Sequence, residues 1–196
     1  MIKVDNIINS IFTSQTYLLH QEGEDSLYLI DCGDVRPIEE YILSHHLILK
    51  GVLLTHTHFD HIYGLNDLVS KYQNCTVYTS ENGKKSLYDD RLNMSGYQSQ
   101  VEPFIYHYDN VSILHDEDFV PGTNIKVIAT PGHDWSCLSY QTDKYLFSGD
   151  SYIPDTRLLF HFPKSNRKLA IENRAKLISL AESEHLQVMS GHYINK

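Results

Sequence analysis

Gly51-Val52-Leu53-Leu54-Thr55-His56-Thr57-His58-Phe59-Asp60-His61 is the stretch on which the reading of this chain turns. Gly51 to Thr55 is a short apolar run, most simply a buried strand. Beyond the histidines, Ile62, Leu65, Val69 and Tyr72 fall at helical spacing, with Leu68 beside them. The order is strand, polar loop, helix. In an extended loop His56 and His58 alternate with other residues and point the same way. Asp60 and His61 come after the turn, as the helix begins, and face a neighbouring point. Neutral imidazole nitrogen and carboxylate oxygen are good ligands for zinc, iron or manganese. One loop therefore feeds two metal positions. The ordinary alternative, a polar surface loop with satisfied histidines, suits a lone His better than this spacing.

Three later segments supply the same residue types, each after a strand-like run. They are Thr130-Pro131-Gly132-His133, Ser148-Gly149-Asp150 and Ser190-Gly191-His192. A glycine before the ligand lets the backbone pass close to a crowded site. Singly each is an ordinary turn; in this order after the first motif they complete a metal-binding set.

Outward from these motifs, strands are expected at Ile2–Ile8, Thr16–His20, Ser26–Ile30, Cys75–Thr79, Val111–Leu114, Ile125–Thr130, Leu138–Gln141, Tyr145–Ser148 and Leu186–Met189. Asp31-Cys32-Gly33-Asp34 reads as a turn. Helices are expected over Val35–His46, with Ile38, Ile42 and His45 on one face, and over Ser80–Tyr88. A long helix is expected from Asn166 to Glu184, marked by Ile171, Ala175 and Ile178. Asp89–Pro103 has no clear period and reads as a loop or short helices. Strand-rich halves, each with helices, suggest two sheets packed face to face with helices outside.

The 196 residues suit one domain, 1–196, with a sizeable core. A net charge of −9 disfavours a nucleic-acid partner. No apolar stretch approaches the ~18 residues that span a bilayer, and the N-terminus does not read as a secretory signal. Cys32, Cys75 and Cys137 are odd in number and form no CxxC pair, so they read as small buried hydrophobes in a reducing cytoplasm.

The His-x-His-x-Asp-His motif and the three Gly-containing turns resemble the metallo-β-lactamase-fold superfamily. Within it the chain is most similar to glyoxalase-II-like metallohydrolases, from the Asp31 turn to His192. The resemblance implies an α/β fold, an αββα four-layer sandwich of two mixed β-sheets flanked by helices. It assigns His56, His58 and His133 to one metal, and Asp60, His61 and His192 to the other. Asp150 bridges both, and Asp31 supports the metal loop from behind. Asp60 and Asp150 are the candidate catalytic carboxylates. The cofactors implied are two divalent ions, zinc first, with iron or manganese as alternatives. Such a pair holds a bridging hydroxide that hydrolyses a small ester, thioester, lactone or phosphoester. Only Tyr193-Ile194-Asn195-Lys196 follows His192, so the glutathione-binding helical extension of glyoxalase II is not expected. Asp134-Trp135 stands where the family has small or hydroxyl residues.

The expected partner is a small molecule with an anionic group. Arg157 and Lys164, in the loop between Asp150 and the last helix, are candidate clamps for that group, and Tyr193 is a candidate contact beside a ligand. Two rival functions share the motif: a mononuclear iron persulfide dioxygenase of the same superfamily, and a non-catalytic metal-stabilised binding module.

Overall fold

A computed structural model describes residues 2–99 and 101–194. Met1, Gln100, Asn195 and Lys196 lie outside the described residues, and with them the ends of the expected 1–196 domain and one position of the Asp89–Pro103 loop. The first sheet has six strands in chain order: β1 (Ile2–Ile8), β2 (Gln15–Gln21), β3 (Ser26–Ile30), β4 (Ile48–Leu53), β5 (Thr76–Thr79) and β6 (Val111–Ile113). β1, β2 and β3 pair antiparallel, and β3 to β6 pair parallel. The second sheet has four strands, ordered β10 (Gln187–Ser190), β9 (Tyr145–Gly149), β8 (Leu138–Gln141) and β7 (Lys126–Ala129). β10 runs parallel to β9, and the other pairs are antiparallel. Both sheets are therefore mixed.

Side chains of neighbouring strand residues point to opposite faces, and here both faces are covered. Leu18, Leu29 and Val52 pack under α1 (Val35–His45) and α2 (Leu65–Lys71), whereas Leu19, Ile30 and Leu53 face Val127, Tyr140 and Phe147 of the other sheet. This explains why the strands read as continuous apolar runs rather than as alternating ones. α4 (Arg167–Ser183) covers the outer face of the second sheet through Leu177 and Ala181, against Ile128 and Leu146. The layers run helix, sheet, sheet, helix, as expected. Leu53 is fully buried between the sheets, so Leu53→Ala should cost about 2–5 kcal/mol.

Three local expectations need correction. α4 forms, but its buried face is Ala170, Leu177 and Ala181; Ile171 is 51% exposed and Ala175 is exposed. The helix docks where Gly132 nearly touches the Ala170 backbone, which rotates it away from the isoleucine stripe. His45 lies off the buried face of α1, stacked on Tyr41 with ring centroids 4.1 Å apart. β4 starts three residues before Gly51 and stops at Leu53, leaving Leu54 and Thr55 to the loop. A further helix, α3 (Glu81–Leu87), opens with the Ser80 hydroxyl accepting from Gly83 N at 3.1 Å. Among its described residues the Asp89–Pro103 stretch contains one 3-10 turn, Ser95–Tyr97. No helix among the described residues is long and apolar enough to cross a membrane.

Candidate metal centre

The chemistry-bearing turns gather at one edge of the sandwich, where β4, β7, β9 and β10 end. Seven side chains, His56, His58, Asp60, His61, His133, Asp150 and His192, form three overlapping groups that could hold a metal ion. The groups are His56/His58/His133, His56/His61/Asp150 and Asp60/His61/His192, with potential ligand atoms within 4.8 Å of one another in each.

The first loop is held by backbone on every side. Thr55 O accepts from Leu138 N at 2.7 Å, Cys32 N donates to His61 O at 2.8 Å, and Phe59 N donates to Asn93 O at 2.9 Å. The Ser14 hydroxyl donates to Asp60 O at 2.7 Å. Phe59–His61 is one 3-10 turn, which brings the His61 ring back against His56, with ring centroids 4.2 Å apart. Gly149 has φ +50°, and a Cβ there would lie 2.6 Å from Thr55. A Cβ at Gly191 would strike the Asp150 carboxylate. Both glycines thus permit the close approach that the sequence suggested.

His56, His61, His133 and His192 each turn Nδ1 outward to a protein partner and Nε2 inward. His61 Nδ1 meets Asp31 Oδ2 at 2.8 Å, His133 Nδ1 meets Leu159 O at 3.0 Å, and His192 Nδ1 meets Phe12 O at 2.9 Å. These partners only accept, so they hold the proton on Nδ1 and leave the Nε2 lone pair inward. His56 Nδ1 lies 3.2 Å from the Thr55 hydroxyl, which itself donates to Asp31. His58 is reversed: its Nδ1 faces His133 Nε2 at 3.2 Å, and its Nε2 lies 3.7 Å from Asp134 Oδ2.

Asp31 has φ +59° and takes Thr55 N and the Thr55 hydroxyl, both at 2.7 Å, besides His61. Asp150 touches both ends of the cluster. Its Oδ2 lies 3.4 Å from His133 Nε2 and 3.3 Å from His192 Nε2, and its Oδ1 lies 3.6 Å from His61 Nε2. Asp60 Oδ2 lies 3.5 Å from His61 Nε2 and 3.4 Å from His192 Nε2.

Burial pushes the His56 pKa well down, and the neighbouring His61 and His58 add to this. Burial also opposes charge on His61, but Asp60, Asp31 and Asp150 outweigh it and raise its pKa to about 10. Burial pushes Asp150 up, yet His192, His61 and His133 hold it well below the usual carboxylate range. The protein groups alone thus hold an ionised, carboxylate-rich cluster in which His61 carries the balancing proton, the place a cation would take. His56 Nε2 and Asp150 Oδ1 are buried with no hydrogen-bond partner. Orphaned buried polar atoms are costly, and a cation between them is the species that fits this donor set.

The remaining candidates stand further out. Arg157 lines a separate recess with His133 and Asp150. The Lys164 ammonium lies over the Trp135 ring, 4.6 Å from its centroid. Tyr193 is 43% exposed, and its backbone N donates to Thr13 O at 2.9 Å. Cys32, Cys75 and Cys137 are buried and free. Sequence reasoning missed two supports. One is Asp134, buried behind His58, with Oδ1 accepting from Ser136 N at 2.8 Å and from the Ser136 hydroxyl. Its only signal was the Asp directly after the His133 ligand candidate. The other is the turn between β1 and β2, whose Phe12 carbonyl holds His192 and which carries no local signal.

The chain is 31% identical to a hydroxyacylglutathione hydrolase of Shewanella oneidensis over 147 residues, 74% of this chain and 50% of that protein. It is 29% identical to a probable metallo-hydrolase of Streptococcus pyogenes over 98% of this chain and 84% of that one. The chain spans about half the length of the hydroxyacylglutathione hydrolases it matches. Among solved structures, the BLEG-1 B3 metallo-beta-lactamase superposes with a TM-score of 0.86 at 23% identity, covering 98% of this chain and 92% of that one. TTHA1623, solved in a di-iron-bound form, gives 0.83 at 20% identity, covering 98% and 93%. Residues 11–192 match the metallo-beta-lactamase superfamily, and the chain belongs to that superfamily.

Proposed function

We propose that this protein is a dinuclear metal-dependent hydrolase of small esters, thioesters, lactones or phosphoesters. His56, His58 and His133 would hold one divalent ion, and Asp60, His61 and His192 the other, with Asp150 shared. The observation that carries the reading is the Asp150 carboxylate, within 3.6 Å of histidines from both groups and with one oxygen unpartnered. Divalent ions in those two places would supply Lewis-acid chemistry, the activation of water near neutral pH and the polarisation of an acyl or phosphoryl oxygen. The protein's part is to aim lone pairs. Asp31, Leu159 O and Phe12 O hold the protons of His61, His133 and His192 on the outward nitrogens. Asp60 and Asp150 bring negative charge to a buried place and offset the cations. The hydrolysed bond needs no serine or cysteine nucleophile. The relatives named for hydrolase activity support the reaction class.

Zinc suits the nitrogen and oxygen donor set, and iron or manganese suit it too. Residues 1–196 are read as one domain, and buried unpaired thiols fit a reducing cytoplasm. The test is elemental analysis of reconstituted protein, followed by anaerobic assay on ester, thioester, lactone and phosphodiester substrates. About two ions per chain and turnover without oxygen are expected. One ion per chain, together with obligatory iron and oxygen uptake, would transfer the protein to the persulfide dioxygenase reading. Metal without turnover of any kind would leave a binding module.

A further inference from the structure

A cleft of about 270 Å³ opens directly above the candidate ligands. Phe12, Phe59, Met94, Leu159 and Phe162 form its walls, with Gln98 as the polar exception. No Lys or Arg lines it among the described residues. The volume is just under the ~300 Å³ at the small end of ligand sites.

The apolar walls are built into the fold. The Phe12 and Phe59 rings meet edge to face, 5.7 Å apart. The Phe162 ring lies 4.8 Å from His58 and 5.1 Å from His133, against the first ligand group. Phe12 and Met94 have φ of 52° and 70°, a left-handed backbone that non-glycine residues adopt at a cost. Phe12 is held there by its carbonyl, 2.9 Å from His192 Nδ1. Yet Phe12 is 62% and Leu159 49% exposed. Apolar surface kept in water beside a polar centre is stabilised when an apolar group covers it.

The cations of the neighbouring loop and of α4 stay out of the cleft lining. Lys164 sits over Trp135, Arg167 lies 5.4 Å from the Phe160 ring centroid, and Arg174 donates to Thr156 O at 3.0 Å. Arg157 and Arg174 border a recess of about 10 Å³ beside His133 and Asp150, outside the cleft, with room for about one water and too little for a carboxylate.

We propose that the site selects uncharged acyl substrates, esters, thioesters or lactones whose acyl part is an apolar chain, over substrates with a carboxylate or phosphate in that part. This rests on the hydrolytic reading above. The chain lies against Phe12, Phe59 and Phe162, which places the acyl carbon over the ligand cluster. Water's oxygen forms a bond to the acyl carbon, and the acyl–oxygen or acyl–sulfur bond breaks. The leaving oxygen or sulfur takes a proton, so the products are an acid and an alcohol or thiol, with no change of oxidation state.

The test compares acetyl, butyryl, hexanoyl and succinyl esters of one neutral alcohol on the metal-loaded full chain. The expected kcat/KM rises roughly three- to fourfold per added methylene, the effect of burying one CH₂. The hexanoyl ester should exceed the succinyl ester by at least tenfold. Phe12→Ser, at an exposed position, and Phe162→Ala should each flatten the chain-length slope. Calorimetric binding of ethyl, butyl and hexyl methyl ketones gives a readout free of turnover, with the same slope and a negative heat-capacity change expected. A flat slope, or faster turnover of the succinyl ester, overturns the inference while leaving hydrolysis intact. Ketone binding with the expected slope but no hydrolysis of any ester sustains the apolar selection and removes the hydrolytic reading. Absence of both removes both.

Discussion

The two halves of the candidate centre are built differently. His56, His58 and His133 come from turns in the middle of the chain and are almost wholly buried. Behind them stand Asp134, the Thr55 hydroxyl and the Leu159 carbonyl. The second half joins Asp60 and His61 to His192, whose side chain is 17% exposed. Its supports are Asp31 and the carbonyl of Phe12, on a turn whose backbone also pins the tail: Gln15 N donates to Gly191 O at 2.7 Å. The first half is therefore enclosed by the core on every side. The second depends on contact between segments 180 residues apart.

The largest effect should come from the residue common to both halves. Asp150→Ala should lower metal content in both and cut kcat/KM by roughly a thousandfold or more, since several kcal/mol of charge stabilisation are lost. Retention of two ions and near-normal turnover would show that Asp150 joins nothing.

Removing the tail should separate the halves. Deleting His192–Lys196 should remove one ion and most turnover while circular dichroism remains native-like, because the core clusters lie upstream. Deleting Ile194–Lys196 should be much milder. If the longer deletion keeps both ions and full activity, His192 is not a ligand and the second half is misread.

A smaller effect sharpens the first half. Asp134→Ala should weaken one metal site by about 10–100-fold, as loss of a group behind a ligand does. Asp134→Asn keeps an acceptor and should recover part of the loss, measured by chelator competition. Equal affinities for wild type and both variants would make Asp134 merely a partner of Ser136.

The smallest effect concerns the turn that supports the second half. Asp34 accepts from Ser10 N and the Ser10 hydroxyl at 2.8 Å and from the Tyr63 hydroxyl at 2.6 Å. Burial opposes its charge, but the Tyr63 and Ser10 hydrogen bonds outweigh this and lower its pKa. A lowered folded-state pKa contributes stability above the unfolded value, near 3.9, that is lost as pH falls through the folded value. Asp34→Asn should therefore cost about 1 kcal/mol at pH 7, with solvent screening included. The difference in urea midpoint should vanish at strongly acid pH; a difference that persists there would point to packing rather than charge.

Much of this was legible in the chain. The strand over Ser26–Ile30 and the one over Leu138–Gln141 stand where the apolar runs put them. Two sheets packed face to face with helices outside followed from strand-rich halves that each carry helices, and the resemblance to the superfamily implied the four layers. The motif loop read as a ligand loop because spacing is a local property: His56 and His58 share a direction in any extended segment. Gly149 and Gly191 were legible too, since a residue without Cβ marks a close approach before the approaching partner is known.

What the sequence determined by itself was what short-range geometry controls: element types, burial on both sheet faces, and the imidazole and carboxylate side chains that the turns present. Tertiary structure alone decided which groups stand behind them. Asp134 became a support for His58 only when the turn after β7 met the loop after β4. Phe12 became both a carbonyl for His192 and a wall of the cleft only when segments 180 residues apart came together. The α4 stripe was misread for the same reason: Ala170 faces inward because Gly132 admits its backbone. No spacing rule encodes a contact between distant turns, because that contact is set by how the sheets and helices pack, not by the period of either segment.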